Sequence, residues 1–302
     1  GPFANIAHGN SSVIADRIAL GAADIVVTEA GFGSDMGAEK FMHIKAANSG
    51  KSPDCVVMNV TVRSMKLHGG AFGDRGGYRP TPEELATENV EAVIIGATGN
   101  LDRHIRNMAG FGMPVVVSIN RFSTDTDAEL AALSDAARAS GATEVTICEV
   151  HAKGGAGGEQ LARAVVSAVQ DHVAAGRPFT PLFMPDATIR EKIDSIATRI
   201  YKADRVRIEL SAAKQLAQIE KWGYGTLPVC MAKTQYSFSH DPNLLGSPSG
   251  FTIPIKEFRL NAGAGFVVAI CGNMMTMPGL PKRPAALDMD MDENGNLIGV
   301  FG

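Results

Sequence analysis

Residues 114–150 read PVVVSINRFSTDTDAELAALSDAARASGATEVTICEV, and this stretch decides the fold class. Its first part, residues 114–119, is a short apolar run rich in β-branched side chains, which is typical of a buried strand. The apolar spacing of residues 126–140 predicts an amphipathic helix, and residues 143–150 predict a second strand. A strand, a helix and a strand in immediate succession indicate two parallel strands joined by a crossover helix.

The same alternation extends along most of the chain. It predicts an α/β fold of mainly parallel sheets with helices on both faces, an architecture like that of P-loop nucleotide-binding proteins. After a proline-rich stretch near residue 180, helices are followed by several strands, which predicts a smaller α+β carboxyl-terminal domain. We expect domains at 1–110, 111–185 and 186–302. The predicted helices are 13–22, 34–47, 82–95, 126–140, 158–173, 189–203 and 212–222, with one more that ends near residue 108, and the predicted strands are 24–29, 54–62, 114–119, 143–150, 227–232, 251–260 and 265–271.

The composition is that of an average globular protein. The 302 residues carry a formal net charge of -4, and 20% of them are charged, so neither nucleic acid nor an anionic membrane is an expected partner. The four cysteines form no CxxC pair, which favours free thiols in a reducing compartment. No apolar stretch reaches the ~18 residues of a membrane span, and we expect a cytoplasmic location. The chain begins at Gly1 without a methionine, which suggests part of a longer protein.

Residues 29–35 form a candidate binding turn after the first predicted strand. Ligands of open parallel sheets bind beyond the carboxyl ends of the strands, and small residues such as Gly33 and Ser34 let backbone amides approach an anion. Phe32 adds an apolar face. A tight turn with a core phenylalanine gives the same pattern, so both interpretations stay open.

Two further loops occupy the same kind of position. Asn120 ends the strand of residues 114–119, and its amide can donate to and accept from the edge of a heterocycle. The loop of residues 149–158 places a lysine and glycines ahead of a helix, which suits either an anion site or a simple helix cap.

Several kinds of catalytic site are not indicated. The tripeptide Gly50-Lys51-Ser52 has Lys45 where a P-loop has its first glycine, and it precedes a strand, so the architecture lacks a P-loop. The seven histidines show no metal-binding spacing, and no cysteine lies in an electropositive turn. We therefore predict no metal ligand and no catalytic residue in this chain.

Several longer segments of the sequence resemble those of a known protein family. The chain is similar throughout to the formate–tetrahydrofolate ligases, and it corresponds to their carboxyl-terminal half. The segments on which the resemblance rests are GPFANIAHG at 1–9, VTEAGFG at 27–33, MGAEKF at 36–41, GYG at 223–225, LPVCMAKTQYS at 227–237 and MPGLPKRP at 277–284.

The resemblance implies an activity and its cofactors. The family joins formate to tetrahydrofolate with ATP and magnesium, through formyl phosphate, and yields 10-formyltetrahydrofolate, ADP and phosphate. It implies a cytosolic homotetramer activated by monovalent cations. The family's P-loop and the arginine that holds formyl phosphate belong to the amino-terminal half. We therefore expect an amino-terminal half or a separate subunit as a partner.

The resemblance also implies roles for individual residues. Ala4 and the turn with Phe32, Gly33 and Ser34 match segments that approach the nucleotide and formyl phosphate. Phe122 matches an aromatic residue that stacks on the ring of bound folate or nucleotide, and Ile147 matches an apolar wall beside it. His151 stands where the family usually has tryptophan, the second plate of the sandwich, which lowers the expected stacking energy by about 1 kcal/mol.

Two other functions remain as alternatives. A protein derived from the ligase could bind folate or nucleotide as a non-catalytic scaffold. A dehydrogenase using Gly263-Ala264-Gly265 has less support, because that motif precedes a strand where a dinucleotide-binding loop follows one.

Overall fold

A computed structural model describes residues 12–73, 80–273, 283–293, 295 and 297–298. The α-helices are α1 Val13–Leu20, α2 Gly37–Lys40, α3 Ala46–Ser49, α4 Val62–His68, α5 Pro82–Ala86, α6 Val90–Gly96, α7 Asp102–Ala109, α8 Asp127–Ala139, α9 Val150–Lys153, α10 Glu159–Ala175, α11 Ile189–Ser195 and α12 Leu210–Lys221. Segments of π-helix at Phe41–Lys45, Ala97–Leu101 and Ile196–Ile200 continue α2, α6 and α11, and 3₁₀ turns lie at Gly154–Gly158 and Ala285–Asp288. The strands are β1 Val56–Val60, β2 Val115–Asn120, β3 Glu144–Cys148, β4 Arg205–Ile208, β5 Val229–Ala232, β6 Thr252–Asn261, β7 Phe266–Cys271, β8 Asp290–Met291 and β9 Leu297–Ile298.

The first sheet confirms the parallel arrangement predicted from residues 114–150. Its strand order is β1-β2-β3, and all neighbours are parallel, with Val117 of β2 between Met58 of β1 and Val145 of β3. The odd-numbered residues of β2 belong to the core that includes α7 and α8. Val116 and Ser118 point to the opposite face, because side chains alternate along a strand, and α10 packs against β2 and β3 there. Helices therefore cover both faces.

The second sheet is mixed, as expected for an α+β unit. Its order is β4-β6-β7-β5, with β4 parallel to β6, β5 parallel to β7, and β6 antiparallel to β7. The turn of residues 262–265 joins β6 to β7 as a hairpin, so Gly263-Ala264-Gly265 lies between antiparallel strands and is not a dinucleotide-binding loop. The division of the chain at residues 110 and 185 stays a prediction.

Side-chain caps fix where the helices begin. Thr126 accepts from the backbone N–H of Glu129, and the Glu129 carboxylate accepts from the N–H of Thr126, so α8 starts where the sequence predicts. The predicted helix of residues 82–95 is instead two helices, α5 and α6. The break arises because Asn89 accepts from the N–H of Ala92 and thereby starts a new helix.

The predicted strand of residues 24–29 is wrong. These residues form neither helix nor strand, and Ile25 and Val27 are 42% and 83% exposed. Their β-branched pattern suits a strand, but a strand also needs a hydrogen-bonded neighbour, and no strand in the described part of the chain pairs with this segment.

The structure also bears on the Gly50-Lys51-Ser52 segment and on the length of the helices. Gly50 ends α3 with a φ of 69°, and Lys51 and Ser52 then lead into β1, which is the reverse of the strand-to-helix order of a P-loop. Among the described residues, every helix falls short of the length and apolar character that crossing a bilayer requires.

Candidate functional site

The turn of residues 31–36, just ahead of α2, holds an aromatic residue on a strained backbone. Phe32 has a φ of 61°, in the left-handed region that bulky side chains rarely adopt, and it is 49% exposed. Gly37 donates its N–H to the carbonyl of Gly31 at 2.8 Å. A Cβ atom on Gly37 would lie 2.1 Å from that oxygen, so only glycine allows the turn to close this tightly.

A buried chain of hydrogen bonds anchors Ser34 to α7. The side chain of Asn107 donates to the Ser34 hydroxyl at 3.0 Å, and the hydroxyl donates to Nδ1 of His104 at 2.7 Å. The backbone N–H of Ser34 also donates to this Nδ1, at 3.2 Å. Since Nδ1 accepts both bonds, His104 is neutral with its proton on Nε2. Burial lowers the pKa of His104, and the carboxylate of Asp35 opposes this only in part.

Asp35 joins the same turn to the second sheet through a buried ion pair. Nζ of Lys233, directly after β5, donates to the Asp35 carboxylate at 2.5 Å and to the carbonyls of Ser237 and Thr234 at 2.5 and 3.1 Å. The Lys233 side chain is fully buried. Burial raises the pKa of Asp35, but the charge and hydrogen bond of Lys233, with smaller favourable contributions, together outweigh burial, and the pKa lies below the ordinary value. Burial lowers the pKa of Lys233, and the Asp35 carboxylate opposes this only in part. Because Nζ donates three hydrogen bonds, we describe the pair as an ammonium and a carboxylate.

These contacts correct one detail of the sequence analysis. The helix predicted over residues 34–47 starts three residues later, at Gly37, and Met36 occupies the N-cap position without a side-chain hydrogen bond. Ser34 and Asp35 do not cap the helix because their side chains are bonded to residues of distant elements, His104 and Lys233.

A second group of candidate residues lies at the carboxyl edge of the first sheet. Asn120 ends β2, and Arg121 extends the ladder by donating its N–H to the carbonyl of Cys148 at 3.0 Å. The half-buried Phe122 comes next, and its N–H donates to the carboxylate of Asp125 at 2.8 Å. Burial raises the pKa of Asp125. This local turn fixes the backbone from which the Phe122 ring projects.

One face of the Phe122 ring is covered by an arginine. The guanidinium carbon of Arg63, from the first turn of α4, lies 3.6 Å from the ring centroid. This is a close cation–π contact. A flat ligand ring can therefore stack on Phe122 only from the face opposite Arg63.

The remaining predicted residues follow or belong to the neighbouring strand. Ile147 of β3 lies beside Ile119 of β2 and is 36% exposed. His151 is exposed on the single turn of α9. Phe122 and His151 thus follow adjacent parallel strands at one edge of the sheet. Their pairing as two plates around a ligand ring stays a prediction.

Helix α4 carries a buried ion pair at its centre. Nζ of Lys66 lies 2.7 Å from the carboxylate of Glu129, and both side chains are fully buried. Lys66 also donates to the carbonyls of Leu85 and Thr87 at 3.1 and 2.9 Å. With its charge and its three N–H groups satisfied, Lys66 is a structural residue that locks α4 onto α8.

The carboxyl end of α4 reaches the charged groups of the turn. Nδ1 of His68 accepts from the N–H of Gly246 at 3.1 Å, and burial lowers the pKa of His68 to about 4. The carboxylate of Asp35 opposes this shift only in part. Arg63 and His68 are five residues apart on α4, which is roughly 7.5 Å along the helix axis.

The structure thus divides the predicted site residues into two groups. Phe32, Gly33 and Ser34 form the turn; Asn120, Phe122, Ile147 and His151 lie along the edge of the first sheet; and Ala4 is outside the described residues. The sequence analysis missed His104, Asn107, Lys233 and Arg63. Two of them carried a signal in the sequence. Lys233 directly follows an apolar strand, and Asn107 is a polar residue on the face of α7 that also carries Ile105 and Met108.

Comparison with known proteins matches the chain to one protein family over nearly its whole length. The family model described as formate–tetrahydrofolate ligase matches residues 1–301. Proteins named formate–tetrahydrofolate ligase from Methylobacterium nodulans and Paracoccus denitrificans are 52% and 51% identical to it, over 303 and 301 residues. Another with that name, from Methylorubrum populi, is 50% identical over 301 residues.

The extent of these matches differs between the chain and its relatives. Each alignment covers 100% of this chain and 52% of the relative. The chain therefore spans about half the length of the curated relatives it matches. On the family match and the identities, the chain belongs to the formate–tetrahydrofolate ligase family.

Proposed function

We propose that this chain is the carboxyl-terminal part of an enzyme that ligates formate to tetrahydrofolate with ATP. A formate oxygen attacks the γ-phosphorus of ATP, and the bond to ADP breaks to give formyl phosphate. The amine of tetrahydrofolate then attacks the formyl carbon, phosphate leaves, and the amine loses its proton, which yields 10-formyltetrahydrofolate. The observation that carries this proposal is the family match over residues 1–301.

In this proposal the turn of residues 31–36 faces formyl phosphate and nucleotide as a preorganised surface. The Ser34 amide and hydroxyl are both bonded to His104, so Ser34 acts by holding the turn and not by binding the ligand itself. Gly33 has a similar role, because a Cβ atom there would lie 2.6 Å from the His104 ring. Phe32 is the residue that the turn presents. Positioning of this kind lowers a reaction barrier without acid–base chemistry.

The edge of the first sheet supplies the ring contacts. Phe122 stacks on the folate or nucleotide ring, Asn120 bonds to the edge of a heterocycle, and Ile147 and His151 line the opposite side. An aromatic plate of this kind contributes about 1–3 kcal/mol per stacked ring. No side chain of this chain is assigned as the essential acid or base.

We assign the metal chemistry to the part of the ligase outside this chain. Among the described residues, no group of three His, Cys, Asp or Glu side chains could hold a metal ion. In this proposal magnesium binds beside the ATP phosphates, and this chain contacts the rings of the nucleotide and the folate. The amino-terminal half or a separate subunit supplies the phosphate site.

A reconstitution assay tests the proposal. The 302-residue chain alone should form no 10-formyltetrahydrofolate from formate, ATP and tetrahydrofolate. Mixed or fused with an amino-terminal half from the same source, it should regain ATP-dependent synthesis. An assembled protein that binds folate or nucleotide without turnover would support a non-catalytic scaffold. Turnover by the isolated chain would contradict the assignment of the phosphate site.

A further inference from the structure

Arg63 differs from the other basic residues around the carboxyl edge of the first sheet. Lys66 is paired with Glu129, Lys153 with Glu149, and Arg121 with Asp127 at 3.2 Å. None of the ion pairs formed by the described residues includes Arg63. The cation at this edge that stacks on Phe122 is therefore also the one without a carboxylate partner in the described part of the chain.

The guanidinium of Arg63 also has an unsatisfied buried donor. Its Nε atom is buried and has no hydrogen-bond partner among the described residues. Burying a donor without a partner is unfavourable, and more so for a charged group. Asp125 is close enough for its ionisation to respond to Arg63, but its carboxylate accepts from the Phe122 N–H and forms no ion pair with the arginine.

The position of Arg63 connects these features to a ligand. It lies in the first turn of α4, directly after β1, and Phe122 directly follows β2, so both project from the edge of the sheet where ligands of parallel sheets bind. A planar guanidinium offers a fork of donors that matches the oxygens of a phosphate or carboxylate. The contact with Phe122 holds the guanidinium at this edge of the sheet.

We propose that Arg63 binds an oxyanion of the substrate whose ring stacks on the opposite face of Phe122. The oxyanion is a nucleotide phosphate or a carboxylate of the folate glutamate tail. Arg63 and Phe122 then form one recognition unit, in which the ring selects a flat heterocycle and the guanidinium selects an attached anion. This inference rests on the proposed function, because that function supplies the two ligands.

Calorimetric titration of the 302-residue chain with ADP and, separately, with tetrahydrofolate monoglutamate tests the inference. Arg63→Gln should weaken binding of one of the two ligands roughly 10- to 100-fold, since it removes a charge-assisted hydrogen bond. Arg63→Lys keeps the charge without the planar fork and should lose less. Arg163→Gln, which removes an exposed cation paired with Glu159 on α10, is the control and should leave both affinities unchanged.

The outcomes distinguish a nucleotide phosphate from a folate carboxylate, and they distinguish the role of Arg63 from the proposed function. Weaker binding of ADP alone assigns the oxyanion as a phosphate, and weaker binding of tetrahydrofolate alone assigns it as a carboxylate. The salt dependence of the affected affinity should also become shallower in Arg63→Gln. If the wild-type chain binds a ligand and Arg63→Gln binds it equally well, even with a lower melting temperature, the inference is wrong and the proposed function stands. If the wild-type chain binds neither ligand, the recognition unit of Arg63 and Phe122 is wrong, whereas the reconstitution assay decides the proposed function.

Discussion

Lys233 and Asp35 are 198 residues apart in the sequence, and their side chains meet at 2.5 Å in the interior of the protein. The contact joins the carboxyl end of β5 to the turn that presents Phe32. Because both groups are charged and buried, neither can lose its partner without leaving an uncompensated charge in a poorly solvated place. The strained turn is thus held by a bond that is costly to break.

Removal of one partner of this pair should destabilise the protein strongly. Lys233→Met leaves the Asp35 carboxylate buried and unpaired, and we expect a loss of about 3–5 kcal/mol in the free energy of unfolding. The double variant Asp35→Asn with Lys233→Met removes both charges and should recover a large part of that loss. Urea denaturation of the three proteins measures both effects. Equal stability of the single and the double variant would show that the pair is not coupled.

Acid should destabilise the fold through its buried neutral histidines. The pKa of His68 is about 4 in the fold, against an ordinary value of 6.5, so the unfolded chain binds a proton in this interval and the folded chain does not. Stability is therefore retained above pH 6.5 and is lost as the pH falls toward 4, by about 3 kcal/mol for this residue. The lowered pKa of His104 acts in the same direction.

A variant isolates the contribution of His68 to this effect. His68→Asn keeps a side-chain oxygen that can accept the Gly246 N–H but cannot be protonated in this range. Its free energy of unfolding should fall less steeply between pH 6.5 and 4 than that of the wild type. Parallel curves for the two proteins would show that His68 is not held neutral by the fold.

The close backbone contact behind Phe32 should not tolerate a methyl group. Gly37→Ala places a Cβ atom 2.1 Å from the Gly31 carbonyl oxygen, so the turn must open, at a cost of about 1–3 kcal/mol. Gly155→Ala is a matched control, because nothing lies within 4 Å of the added atom. Thermal denaturation should show a clear loss for the first variant alone. A Gly37→Ala protein as stable as the wild type would contradict the tight closure.

Ring stacking at the sheet edge can be tested in both directions. Phe122→Ala should weaken folate or nucleotide binding by about 1–3 kcal/mol, because it removes an aromatic plate. His151→Trp should tighten binding, since the indole offers more ring surface. Titration with circular dichroism as a check on folding measures both. Unchanged affinity in both variants would mean that Phe122 packs only against Arg63.

The sequence was a good guide where structure depends on local pattern. The strand, helix and strand between residues 114 and 150 follow from side-chain spacing and a threonine cap, and each forms as predicted. The segment 24–29 has the same strand-like pattern but forms no strand, because a strand also depends on a neighbour that composition cannot supply.

The candidate site was predictable only in part, for a related reason. Ser34 has the chemistry of a helix cap, but its hydroxyl bonds to His104, 70 residues away. Lys233 reads as one lysine after a strand, and only the fold places it on Asp35. Long-range partners of polar groups leave no periodic trace in a sequence, so such networks become visible only in the structure.

A crystal structure of the chain with bound ADP or tetrahydrofolate tests the account most directly. We expect the heterocycle to lie on the face of Phe122 opposite Arg63, at a stacking distance of roughly 3.5–4 Å, with Asn120 at its edge and His151 on its far side. A ring bound elsewhere, with Phe122 in contact with Arg63 alone, would contradict the assignment of this edge as the ring-binding site.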